Sequence, residues 1–150
     1  MIFRTNSHKA FPIALLTFLL LPAMHGCGQT NDGPQRYQVS GSVTYDGKPV
    51  VAGFVTFAPD TSKGNTGPGG GAPIRNGQFR TDAGKGIVGG PHVVRIIGYD
   101  GIKTVMEGEE LVDGKPLFDP FETSIDFPKQ DTTHDFVIPI GGAETGAKDN

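Results

Sequence analysis

Residues 37–59 read YQVSGSVTYDGKPVVAGFVTFAP, and the fold turns on how this stretch is read. Tyr37, Val39, Gly41, Val43 and Tyr45 alternate with Gln38, Ser40, Ser42 and Thr44. Successive side chains of a strand point to opposite faces, so this period of two predicts a strand with one buried face. Asp46-Gly47 follows, a dipeptide suited to the positive φ angles of a two-residue hairpin turn. Residues 51–58 are then expected as a second strand, ended by Pro59, which has no N–H to give to a ladder.

Working outward toward the C-terminus, residues 60–73 hold five glycines and two prolines and read as a flexible loop. Asn76-Gly77 is a second hairpin signal, and a two-residue turn there sets Ile74 opposite Phe79 as an apolar cross-strand pair. Residues 84–90 are turn-rich. Residues 92–99 (HVVRIIGY) have the strongest strand character in the chain and are expected at the centre of a sheet. Residues 100–122 are mixed and acidic, with no regular element expected. Residues 123–127 and 134–140 are the last expected strands, the second turning Phe136, Ile138 and Ile140 inward. Six or seven short strands in roughly 105 residues point to an all-β sandwich. The tail 141–150 (GGAETGAKDN) has nothing to bury and is expected to be disordered.

Toward the N-terminus, Arg4, His8 and Lys9 precede an apolar run, FPIALLTFLLL, from Phe11 to Leu21. A helix needs about 20 apolar residues to cross a bilayer core of about 30 Å, so this run is the core of an export signal rather than a membrane span. Gly26-Cys27 then resembles the cleavage site of a bacterial lipoprotein, although Met24 and His25 depart from the usual Leu and Ala or Ser upstream. The resemblance implies a signal peptide over residues 1–26 and a diacylglyceryl group on Cys27. Cys27 is the single cysteine, so no internal disulfide is available, and lipidation accounts for a lone thiol in an exported chain. Each buried CH₂ contributes about 0.8 kcal/mol, and two acyl chains anchor stably. Gly28, where Asp would hold the protein at the inner membrane, favours the outer membrane. Residues 27–36 read as a flexible tether, and residues 37–140 as the folded domain.

Val39–Pro59, the NGQFRTD stretch at residues 76–82 and GPHVVRIIGYD at residues 90–100 together resemble the transthyretin-like, carboxypeptidase regulatory-like domains. Small lipoproteins of this kind abound in planctomycete-type bacteria. The resemblance covers residues 37–140 and implies a transthyretin-like or immunoglobulin-like β-sandwich. It leaves activity open, because a fold does not assign one, and nothing in the sequence restores the hormone site of transthyretin itself.

The motifs of common chemistries are missing. Lys85 lies in AGKG, but a phosphate-binding loop would need glycine where Phe79 stands and a hydroxyl where Gly86 stands. There is no G-x-S-x-G, H-E-x-x-H, C-x-x-C or calcium-binding helix-loop-helix pattern. His92 and His134 fall at strand starts, with Asp135 beside the second; they read as rim residues in preference to zinc ligands. Glu107, Glu109, Glu110, Asp113 and Asp119 form an acidic stretch that could gather Ca²⁺ but reads first as a solvated loop. No nucleophile or acid–base pair can be named, so the expectation is a non-enzyme without a cofactor.

Charge narrows the partners. The full chain has 13 Lys and Arg against 16 Asp and Glu, a formal charge of −3. Removal of residues 1–26 takes away Arg4 and Lys9, leaving 11 against 16, or −5, which argues against a nucleic-acid partner. The sequence therefore predicts a lipid-anchored cell-envelope module, attached to the membrane through Cys27 and meeting an envelope protein through loops 60–73 and 100–122. The alternative is a binder of carbohydrate or calcium; with no Trp and three Tyr, aromatic platforms for sugars are scarce.

Overall fold

The computed structural model describes residues 33–141, so the expected signal peptide over residues 1–26, Cys27, the start of the tether and the tail from Gly142 lie outside the described residues. The described chain is all-β. In order, the strands are β1 (Val39–Tyr45), β2 (Lys48–Pro49), β3 (Ala52–Pro59), β4 (Gly70–Arg75), β5 (Gln78–Arg80), β6 (Gly90–Tyr99), β7 (Thr104–Met106), β8 (Glu109–Leu111), β9 (Phe121–Phe127), β10 (Thr132–Thr133) and β11 (Phe136–Ile138). A 3-10 turn, Thr61–Lys63, follows β3 and is capped by Asp60, whose carboxylate accepts from the Ser62 N–H at 3.1 Å.

Both predicted hairpin turns form. Asp46 and Gly47 have φ of 51° and 69°, and Asn76 and Gly77 have φ of 50° and 76°, the all-positive pattern that matches the twist of flanking strands. Across the second turn Ile74 pairs with Phe79, and both are buried. The main sheet runs β10-β1-β5-β4-β3-β6-β9, with β2 and β11 also pairing with β1. It is antiparallel except where β1 meets β10 and β11 in parallel. Strand β6 is the longest and is flanked by β3 and β9, as its β-branched residues led one to expect.

The sheet curls into a sandwich around Val39, Val43, Val55, Phe57, Ile74, Val94 and Ile96, none of them exposed. Aromatic rings close the curl. Phe127 at one end of the sheet meets Phe57 edge-on at 5.7 Å, and Phe136 at the other end lies 5.8 Å from Phe79, which itself touches Phe57. Burying each such side chain contributes about 1.5–3 kcal/mol.

Three expectations need correction. Residues 60–73 are not one loop, because β4 begins at Gly70. The glycines there serve close approach: a β-carbon on Gly70 would fall 2.6 Å from the Gly86 carbonyl oxygen, and one on Gly71 would fall 2.7 Å from the Phe54 ring. Residues 100–122 are not irregular throughout, since β7 and β8 pair as a separate hairpin. Ile140 does not turn inward; β11 stops at Ile138, and Ile140 is 72% exposed.

Candidate functional site

The histidines occupy different settings. His92 is not at the rim: it is fully buried in β6, on the same face as Val94 and Ile96. Its Nδ1 lies 2.8 Å from the Gly90 carbonyl, within hydrogen-bond reach, and its buried Nε2 has no hydrogen-bond partner among the described residues. Asn65 holds the same corner by donating to the carbonyls of Gly89 and Pro91. His134 is half-buried, and both imidazoles pack edge-on against the Phe127 ring, at 5.7 and 5.8 Å. Asp135 is engaged elsewhere, so these three residues are not brought together as ligands.

Asp135 repairs a break in the sheet. Between β10 and β11 the pairing with β1 is interrupted, although the register is the same on both sides, and the His134 carbonyl crosses directly above Gly41, where a β-carbon would fall 1.9 Å from its oxygen. The backbone N–H of Ser42 is thereby left without a ladder partner. The Asp135 carboxylate takes that hydrogen bond and the one from the Ser42 hydroxyl, both at 2.7 Å. These two donors from Ser42, with a smaller contribution from the charge of His134, hold Asp135 below its ordinary value of 3.8 against the opposing effect of desolvation. A carboxylate so stabilised is a weaker base than a free one.

Around this repair lies an open groove of about 720 Å³ on the outer face of β1, β5 and β4. Ser40 and Ser42 stand beside Arg80 and Gln78 across the β1–β5 register, and Gln78 stands beside Arg75 on β4. Thr133 and Asp135 close the side beyond β1.

The acidic residues do not converge. Glu107 and Gly108 form the tip of the β7–β8 hairpin, with φ of 51° and 87°. Glu109 and Glu110 are successive in β8 and so point to opposite faces. Glu110 pairs with Lys103 at 2.5 Å, Asp113 faces Arg75 at 4.0 Å, and Asp119 lies beside Tyr45 and Phe118. Among the described residues, no three His, Cys, Asp or Glu side chains gather as a metal set.

The hairpin itself is the feature that the sequence left unread. Asp100 fixes its base, accepting from the N–H groups of Ile102 at 2.9 Å and Lys115 at 3.0 Å, and Gly101 donates to the Asp113 carbonyl at 2.9 Å. From that base Ile102, Val105, Met106 and Val112 stand exposed. Among the described residues no helix is long and apolar enough to cross a membrane. Comparison of the chain with protein-family models, curated proteins and solved structures gave no match.

Proposed function

We propose that the chain is a non-catalytic, lipid-anchored module of the bacterial cell envelope, and that it holds a partner protein through the β7–β8 hairpin. The observation that carries this reading is the exposure of Val105 and Val112, each 69%, on a hairpin whose base is pinned by Asp100. Exposed apolar side chains on a fixed support mark contact surfaces, because ordering them costs little further entropy on binding. The all-β sandwich supports the resemblance to carboxypeptidase regulatory-like lipoproteins, and Gly26-Cys27 supports attachment through lipid.

The test has two arms. Cys27→Ser should abolish labelling by an acyl probe and move the protein from the membrane to the soluble fraction; a serine variant that still sediments with membranes overturns the anchor. A photo-crosslinker placed at Val105 in living cells should yield a discrete adduct that one at the exposed Lys48 does not. Equal patterns at the two positions overturn the hairpin assignment.

A further inference from the structure

We propose that the outer groove over β1, β5 and β4 is a binding site for acidic saccharides, with Arg80 and Arg75 receiving the carboxylate of a uronic acid. The argument starts from Arg80. No carboxylate among the described residues lies within ion-pair distance of it, although Arg95 has Glu122 at 2.6 Å. Arg80 is instead aimed by a neutral relay. Gln38 donates from Nε2 to the Thr81 carbonyl at 2.8 Å, which orients its amide, and its Oε1 accepts from Arg80 Nη1 at 2.8 Å. A guanidinium held by an amide keeps its full charge and is pre-oriented, the condition in which a bidentate bond to an incoming carboxylate is strongest. Arg75 reaches Asp113 only at 4.0 Å, and that exposed contact is worth little.

The rest of the groove selects a sugar over a bare anion. Ser40, Ser42, Thr133 and Gln78 present hydroxyls and an amide, which exchange hydrogen bonds with sugar hydroxyls. Asp135 keeps its negative charge on the far side of β1 from the arginines and accepts from two donors already. A carboxylate there accepts from a sugar hydroxyl, which a bare anion lacks. The groove, about 720 Å³ and open to solvent, has room for a short oligosaccharide to lie along it. Phe79 is buried at the groove floor and Phe54, 41% exposed, stands at its edge across from Pro73, so the preference for an acidic sugar rests on the two arginines. This site lies on the main sheet and stands independently of the hairpin.

The test uses the full chain solubilised in nonionic detergent, titrated calorimetrically with trigalacturonic acid, with maltotriose and with sodium sulfate. Trigalacturonic acid should bind and the other two should not, and added NaCl should weaken the binding. Arg80→Gln should lower the affinity about tenfold or more, equal to about 1.4 kcal/mol. Arg95→Gln, in an ion pair on another part of the sheet, should leave it unchanged, and both variants should melt as the parent does. Binding of maltotriose at equal strength, or of sulfate at equal strength, overturns the acidic-saccharide assignment. So does an affinity for trigalacturonic acid that survives an Arg75→Gln/Arg80→Gln variant, and so does the absence of any binding.

Discussion

Strand β6 and the β7–β8 hairpin stand next to each other in the chain and use the same kinds of residue in opposite ways. In β6, Val94 and Ile96 are fully buried, with β3 on one side and β9 on the other. In the hairpin, Val105 and Val112 are each 69% exposed, and neither strand pairs with the main sheet. Valine and isoleucine therefore do not have a fixed meaning in this chain. Where a strand has partners on both sides, the residues stabilise the fold; where it has only its hairpin mate, they remain available for contact.

The comparison is broken most sharply at Ile96. Ile96→Asp would leave a charge in the core without a partner, a penalty larger than a small domain's whole stability margin. The cooperative β-type melt seen by circular dichroism should disappear. A variant that still melts cooperatively would show that β6 is not the centre of the core.

An intermediate effect is expected at the β1 edge. Asp135 has a folded-state pKa below its unfolded value, so its contribution is fully present above the ordinary carboxylate range and is lost as pH falls through the folded value. Asp135→Asn should lower the melting temperature at neutral pH, and the gap from wild type should narrow as pH drops below about 4. A gap independent of pH would mean that Asp135 acts through packing and not through its charge.

The smallest effect belongs to the hairpin. Val105→Thr together with Val112→Thr should change stability by no more than about 0.5 kcal/mol by thermal melting, while removing the crosslink at the hairpin. A loss of several degrees in melting temperature would place those valines in the fold and not at a contact surface.

The sequence made the two hairpin turns legible, because Asp-Gly and Asn-Gly tolerate the positive φ angles that few other pairs accept. The period of two in β1 was equally plain. Parity also carries a signal for His92, which lies two residues from Val94 and four from Ile96, so an inward-facing strand must bury it. Strand β4 was hidden because its glycines look like turn residues, and the reason for them lies in Gly86 and Phe54, which only the folded chain brings near. The groove was illegible for the same reason. Ser42, Gln78 and Arg75 come from three strands and Asp135 from the link between β10 and β11, and their meeting depends on a register that no local pattern encodes.

The parallel pairing of β1 with β10 and β11 sets the order in which the chain can finish. A protein is synthesised from its N-terminus, yet one side of its first long strand is covered by its last elements. Until Phe136–Ile138 arrive, that side of Val39–Tyr45 presents unpaired amides, the kind of open edge on which stray strands pair. Completion of this domain is therefore a single late event, and a chain cut short before residue 132 would lose its first strand's protection along with its last strands.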